Sequence, residues 1–142
     1  MPYSRSFTAI LIVAILMTNP TTAGIARQLA DCPQTPNCVS SQATDRQHAV
    51  APFSFSGAAQ SEWGRLRAAI LSQRRTRIVE EDASYLHAEV HSRVFGFIDD
   101  LEFVLVPKEG IIHVRSASRS GYSDFGVNRR RVERIRRAFN GQ

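Results

Sequence analysis

The spacing of apolar side chains along the chain switches between the period of a helix and that of a strand. Trp63, Leu66 and Ile70, with Leu71 beside them, follow the i, i+3, i+7 spacing of one helical stripe. We therefore predict a first helix over residues 58–75, which ends in a basic segment that suits the negative end of its dipole.

A second helix is predicted over residues 127–139. Val132, Ile135 and Phe139 lie three and four positions apart, so one face of this helix is apolar. Its remaining positions are rich in arginine, which is typical of a solvated face or of a surface that attracts acidic partners.

Between the helices the period changes to two, the pattern of strands with one buried face. We predict strands over residues 76–80, 84–92, 93–107 (one bent strand or two) and 110–119, after a short strand near 52–56. The short links between them favour antiparallel pairing. We expect a single α+β domain, in which a roughly four-stranded antiparallel sheet has two helices packed on one face.

The first residues are typical of a secretory signal. Arg5 precedes an apolar run of eleven residues, and small residues follow. A membrane-spanning helix needs about 20 apolar residues, so this run is too short. We expect cleavage after Ala23 or after Ala26. A retained N-terminal anchor and a lipoprotein attached at Cys32 are the alternatives.

These segments define the expected domain organisation. We predict a signal peptide over residues 1–23, an extended N-terminal arm with a disulfide loop over 24–52, and the α+β domain over 53–142. The arm has no periodic apolar pattern. The mature protein is expected to be periplasmic or secreted, and we expect no cofactor.

The chain has two cysteines, Cys32 and Cys38, separated by five residues. Zinc sites commonly use paired C-x₂₋₄-C knuckles and thioredoxin centres use C-x-x-C, so this spacing fits neither. In an oxidising compartment two such cysteines form a disulfide. The closed loop is short, and its chain-entropy contribution is only about 2 kcal/mol. We expect the bond to pin the arm onto the domain.

Charge narrows the range of partners. The chain carries a net charge of +5, and arginine supplies 17 of its 18 basic residues. Arginine pairs well with planar anions such as phosphate and carboxylate. An exported protein of this kind meets anionic lipid, anionic cell-wall polymer or acidic proteins, and we predict no nucleic-acid partner. Peripheral contact between the C-terminal basic helix and an anionic membrane is one option.

Strand alternation places one set of polar side chains on the sheet face opposite the helices. Its members are His87, Glu89, His91, Asp100, Glu102, His113 and Arg115. A solvated sheet face is polar in any case, so cross-strand charge pairs and a binding site both fit this set. The run H-x-E-x-H would span about 13 Å along a strand, too far for one metal ion without further ligands. We expect no metal.

A second candidate region combines a strand end, a loop with glycines and a helix start. Its polar members are Ser116, Ser118, Arg119, Tyr122, Asp124, Asn128 and Arg129. Hydroxyls, arginines and a helix N-terminus favour an anion. Turn and capping chemistry would explain Asp124 and Asn128 without any ligand.

Three stretches of the chain resemble a known family. They read CPQTPNCVSSQA, YLHAEVHSRVFGFIDDLEF and HVRSASRSGYSDFGVNRRRVERIR. In order and spacing they closely resemble the bacterial and plastid family called domain of unknown function 1499, over about residues 32–139. The resemblance implies a small exported or membrane-associated domain and brings no reaction, cofactor or partner. Its motif residues fall here on Pro36, Asn37, Cys38, Ser40, Ser41, His87, Glu89, Asp99, Asp100, Glu102, Arg115, Ser116, Ser118, Arg119, Gly121, Asp124, Asn128 and Arg129.

The leading interpretation is an exported binding or accessory module for an anionic ligand or an envelope partner. The candidate ligand-binding residues are His87, Glu89, Asp100, Glu102, Arg115, Ser116, Ser118, Arg119, Asp124, Asn128 and Arg129. The first alternative is an enzyme of unassigned type, in which Glu89, Asp100 or Glu102 is the general base and His87 is an acid or a ligand. The second alternative is a structural component of an envelope complex.

Overall fold

The computed structural model describes residues 27–93 and 95–142, and the predicted signal segment lies outside the described residues. These residues form, in chain order, β1 (Cys38–Ser40), β2 (Phe53–Ser54), α1 (Ala59–Leu71), β3 (Thr76–Glu81), β4 (Tyr85–His91), β5 (Ile98–Val106), a 3₁₀ helix (Pro107–Glu109), β6 (Ile111–Ser118) and α2 (Val127–Phe139). The prediction of an α+β chain with two helices is confirmed.

The described strands form one antiparallel sheet in the order β1-β6-β5-β4-β3, and β2 also pairs with β6. β1 and β2 share one edge, because β1 lies beside residues 115–117 of β6 and β2 beside residues 111–112. The prediction of roughly four strands is therefore wrong, since the sheet has six. β1 is three residues long and is held by a strand far along the chain, which a local apolar period does not report.

α1 is shorter than predicted, because it ends at Leu71 and not near residue 75. Its buried residues are Trp63, Leu66, Ala69 and Ile70. Leu71 does not belong to this stripe and is 46% exposed. The chain then turns through Arg75, whose φ of 57° is rare for a residue other than glycine. The basic segment is therefore a turn leading into β3.

The core lies between the sheet and the two helices, as the alternation predicts. Phe53 of β2 contacts Phe103 of β5 and Phe139 of α2 edge to face, with ring centroids 5.7 and 5.6 Å apart. All three rings are at most 1% exposed. Burying one such side chain contributes about 1.5–3 kcal/mol, so β2 is anchored by its ring despite its two-residue length.

The N-terminal arm contacts both faces of the sheet. The predicted disulfide between Cys32 and Cys38 is present, and Cys38 begins β1. Upstream, Leu29 is buried against Tyr85, Val104 and Val106 on the face opposite the helices. A disulfide is typical of proteins outside the reducing cytosol. Over the described residues, no helix has the length and hydropathy to cross a bilayer.

Candidate functional site

The charged candidates on the sheet face opposite the helices lie next to one another. We call them the open-face cluster: His87, Glu89, Asp100, Glu102, Arg115 and Arg119. Strand pairing sets Glu89 beside Asp100 and Glu102 beside Arg115. The alternation that predicts a shared face is therefore reproduced, and Arg119 joins it from the end of β6.

Opposite charges in the open-face cluster bond to each other. Arg119 Nη2 donates to Glu89 Oε1 and to Asp100 Oδ1, both at 2.7 Å. Arg115 Nη1 donates to Glu102 Oε2 at 2.9 Å. Each carboxylate of the cluster therefore has an arginine partner, which is the structural pattern of cross-strand charge pairing.

These pairings lower the proton affinity of two carboxylates. Hydrogen bonds from Arg119 and Arg77 lower the pKa of Glu89. Burial acts to raise the pKa of Asp100, but hydrogen bonds from Arg119 and His87 outweigh it and lower that pKa. A general base works best with a pKa near the working pH. Both carboxylates are shifted away from that range, so their environment does not favour the acid–base alternative.

The histidines of this face have separate partners. His87 Nε2 lies 2.7 Å from Asp100 Oδ1. His91 Nε2 lies 3.8 Å from Glu89 Oε2. His113 Nδ1 lies 3.0 Å from the hydroxyl of Ser41 in the arm. Among residues 27–93 and 95–142, no group of three histidine, cysteine, aspartate or glutamate side chains is placed to hold a metal ion.

The second candidate region divides between two environments. Ser116 of β6 and Asn128 of α2 are fully buried where the helix packs on the sheet, and Ser116 Oγ donates to Asn128 Oδ1 at 2.6 Å. Arg131 Nη1 donates to Ser116 Oγ at 3.0 Å, and Arg131 Nη2 donates to Asp99 Oδ2. We call Asp99, Ser116, Asn128 and Arg131 the buried polar cluster. It joins α2 to β5 and β6 beneath the protein surface.

The buried polar cluster continues into the disulfide loop. Asn128 Nδ2 donates to the carbonyl of Asn37 and to Ser118 Oγ, both at 3.0 Å. The Asn37 side chain donates in turn to the carbonyl of Gly121 at 2.7 Å. Asn37, Ser118 and Asn128 therefore hold the arm against the loop before α2.

Two other candidates fix chain segments in place. Asp124 accepts the backbone N–H groups of Gly126 and Asn128 at 2.8 and 2.9 Å, so it caps the start of α2. Arg129 donates to the carbonyls of Ala49 and Gln47, both at 2.8 Å. Ligand binding by these residues stays a prediction.

The basic helix α2 is not a uniform charged surface. Arg136 donates to the carbonyls of Pro52 and Ala51 at 2.7 and 2.6 Å, and its guanidinium lies 4.4 Å from the ring centroid of Phe53. Arg129 and Arg136 thus attach the segment between β1 and α1 to the helix. Some arginines of α2 therefore hold other segments of the chain in place.

A cleft of about 530 Å³ opens where the end of α1, the end of β4 and the start of α2 meet. We call it the basic cleft. The charged side chains that line it are Arg74, Arg75, Arg93, Arg131, Arg134 and Asp99. Five arginines therefore face a single carboxylate, and that carboxylate is already bonded to Arg131.

The floor and the rim of the basic cleft differ. Arg131 is 5% exposed, and its Nε is buried with no hydrogen-bond partner among the described residues. Arg75 on the rim donates through Nε to the carbonyl of His91 at 3.1 Å. Partial burial and the nearby charges of Arg131, Arg130 and Arg137 lower the pKa of Arg134. The cleft is therefore a region of concentrated positive potential.

Sequence reasoning does not find the basic cleft, although signals for its floor exist. Arg131 lies four residues before Ile135 and eight before Phe139, which places it on the buried side of α2. Asp99 is in phase with Leu101 and Phe103 on β5. An inward arginine and an inward aspartate together indicate a buried ion pair. The rim arginines come from separate turns, and no local pattern connects them.

Comparison with known proteins agrees with the resemblance seen in the motifs. Residues 28–139 match the family described as "Protein of unknown function (DUF1499)". No curated protein matches the chain. The matched range includes both the disulfide loop and α2, so it covers the open-face cluster, the buried polar cluster and the basic cleft. The chain belongs to the DUF1499 family.

Proposed function

We propose that this protein is an exported binding module for an anionic ligand of the phosphate or carboxylate class, and that the ligand binds in the basic cleft. One observation carries the proposal. Four arginines line the cleft and form no ion pair with a carboxylate among the described residues: Arg74, Arg75, Arg93 and Arg134. Arginine binds such anions through paired, charge-assisted hydrogen bonds.

The fixed position of Arg131 on the floor of the basic cleft supports the same site. Arg131 lines the cleft and is only 5% exposed, so its charge acts on an anion there without the side chain having to move. The Asp99 carboxylate and the hydroxyl of Ser116 hold this guanidinium rigidly. A fixed donor loses little conformational entropy when it binds a ligand.

The arginines of the open-face cluster support this choice by contrast. Arg115 and Arg119 already bond to carboxylates, so an incoming anion would have to displace them. Arg129 is bonded to arm carbonyls. On the rim of the basic cleft Arg75 also donates to a carbonyl, that of His91, but no side-chain hydrogen bond among the described residues occupies Arg74, Arg93 or Arg134.

Export is part of the proposal. The apolar run after Arg5 is typical of a secretory signal, and a Cys32–Cys38 disulfide suits an oxidising compartment. Mass spectrometry of the protein isolated from its own cell envelope tests this step. A mature N-terminus near residue 24 or 27 and a mass lower than that of the reduced chain by two hydrogen atoms are expected.

Calorimetric titration with inorganic pyrophosphate tests the site. The double variant Arg93→Gln/Arg134→Gln should weaken binding about tenfold for each guanidinium removed. Both side chains are exposed, so the fold should persist. The matched control is Arg46→Gln, which removes one positive charge from an exposed position of the arm.

Two results would contradict the proposal. Pyrophosphate binding that is equal in the double variant and in Arg46→Gln excludes the basic cleft. A loss confined to Arg119→Gln would move the site to the open-face cluster, where the sequence interpretation put it.

A further inference from the structure

Exposed aromatic side chains gather beside the basic cleft. Phe95 and Phe97 follow β4 and are 75% and 52% exposed, with ring centroids 5.6 Å apart. Phe125, in the loop before α2, is 86% exposed, and Val127 is 38% exposed. These four side chains line one depression of about 350 Å³, and we call them the aromatic patch. Soluble proteins rarely gather large apolar side chains at the surface without a partner.

The aromatic patch and the basic cleft are continuous. Ser92, Asp99 and Val127 line both. Apolar rings therefore border a ring of guanidinium groups at the same end of the sheet. The two carboxylates beside the patch are already used, because Asp99 bonds to Arg131 and Asp124 caps α2. The charge of Asp99 is offset by Arg131, and the guanidinium groups of the neighbouring cleft outnumber the remaining carboxylate of Asp124.

We infer that the basic cleft and the aromatic patch together bind the surface of an anionic phospholipid bilayer. A lipid phosphate occupies the cleft, and the rings of Phe95, Phe97 and Phe125 enter the boundary between headgroups and acyl chains. This inference rests on the proposed function, because it names the source of the anion. Interfacial binding of this kind combines buried apolar area with electrostatic attraction to anionic lipid.

The chemistry of the patch favours a bilayer over a soluble anion. A free phosphate would use the arginines and would leave the neighbouring rings in water. A membrane surface satisfies both groups at once, because phosphate and hydrocarbon lie within one lipid molecule. The arrangement also differs from docking by the basic face of α2, since Arg129 and Arg136 of that helix hold chain segments.

Backbone geometry agrees with a role for the patch. Among the described residues other than glycine, only Arg75 and Phe125 have positive φ, at 57° and 52°. One lines the cleft and the other belongs to the patch. Left-handed backbone at a bulky residue is strained, and such strain concentrates at functional positions. Glycine at position 125 would relieve the strain, so stability alone does not explain the phenylalanine.

Vesicle flotation tests the inference. The protein isolated from its own envelope fraction is mixed with phosphatidylcholine vesicles and with vesicles that also contain phosphatidylglycerol. The readout is the partition constant for the phosphatidylglycerol vesicles divided by that for the phosphatidylcholine vesicles. This ratio should exceed one and fall as salt is added. Loss of a single cleft arginine, in Arg93→Gln, should lower the ratio about fivefold.

The aromatic patch is tested with the double variant Phe95→Ser/Phe125→Gly. Partition to phosphatidylglycerol vesicles should fall about tenfold for each ring removed, whereas the calorimetric affinity for pyrophosphate should stay unchanged. The matched control is Val79→Ser, which replaces a 39% exposed apolar side chain on β3. It should leave partition unchanged.

The outcomes separate this inference from the proposed function. Pyrophosphate binding without any preference for phosphatidylglycerol overturns the membrane site and leaves the anion site standing. Equal partition of the aromatic variant and Val79→Ser also overturns it. If the wild-type protein binds neither pyrophosphate nor phosphatidylglycerol vesicles, both proposals are overturned.

Discussion

The open-face cluster and the basic cleft contain similar side chains but arrange them differently. On the open face, Arg115 and Arg119 are bonded to carboxylates across neighbouring strands. In the cleft, five arginines share one carboxylate, Asp99. In the first arrangement the opposite charges offset each other. The second concentrates positive charge around a space, which is the basis of the proposal that an anion binds there. Pairing, and not the number of charged residues, separates the two regions.

The largest expected effect compares two adjacent residues on opposite faces of β5. Asp99→Asn removes the charge beneath the cleft and leaves Arg131 buried without its counter-charge, which costs about 3 kcal/mol or more. Asp100→Asn alters a partly exposed pair and should cost about 1 kcal/mol or less. Urea unfolding of both variants measures the difference. Equal destabilisation would mean that the buried polar cluster has no special role.

A second comparison is between Arg119 and Arg134, whose substitution should affect the unfolding temperature differently. Arg119→Gln removes the donor shared by Glu89 and Asp100, so the unfolding temperature should fall. Arg134→Gln removes one of several neighbouring like charges, so the unfolding temperature should stay the same or rise. Thermal unfolding at low salt checks both, and added salt should shrink both changes. A clear loss of stability in Arg134→Gln would show that the cleft arginine is paired.

The smallest expected effect is a change in the contribution of Glu89 to stability at acid pH. Hydrogen bonds from Arg119 and Arg77 lower the pKa of Glu89 in the folded protein below its ordinary value of 4.5. Its contribution to stability is therefore full above about pH 4.5 and is lost as the pH falls through the folded pKa. The stability difference between the wild type and Glu89→Gln should be constant at neutral pH and shrink below about pH 4. Glu109→Gln, on the exposed 3₁₀ turn, is the control, because it removes a carboxylate that forms no ion pair among the described residues.

Local patterns predicted much of the fold correctly. The heptad-like spacing of Val132, Ile135 and Phe139 identified α2 and its buried face, and strand alternation identified which side of β4, β5 and β6 is apolar. Such periods are visible because one face of each element is buried along its whole length. The same reasoning placed the open-face cluster on one surface. The reasoning from local patterns missed β1, because its three residues pair with residues 115–117 of β6, far along the chain.

The helix and strand periods, the pairing of the two cysteines and the excess of arginine can be read from the residues alone. Which arginines are paired depends on how the chain folds. Arg119 and Arg93 look equivalent in the sequence. The first meets two carboxylates, whereas the second lies on the rim of a cleft in which, among the described residues, the one lining carboxylate bonds to Arg131. Ion pairing depends on distances of a few ångströms between residues far apart in the chain, and electrostatic energy falls steeply with separation in water. That dependence is why the arginines without a carboxylate partner can be recognised only once the strands and turns have been brought together.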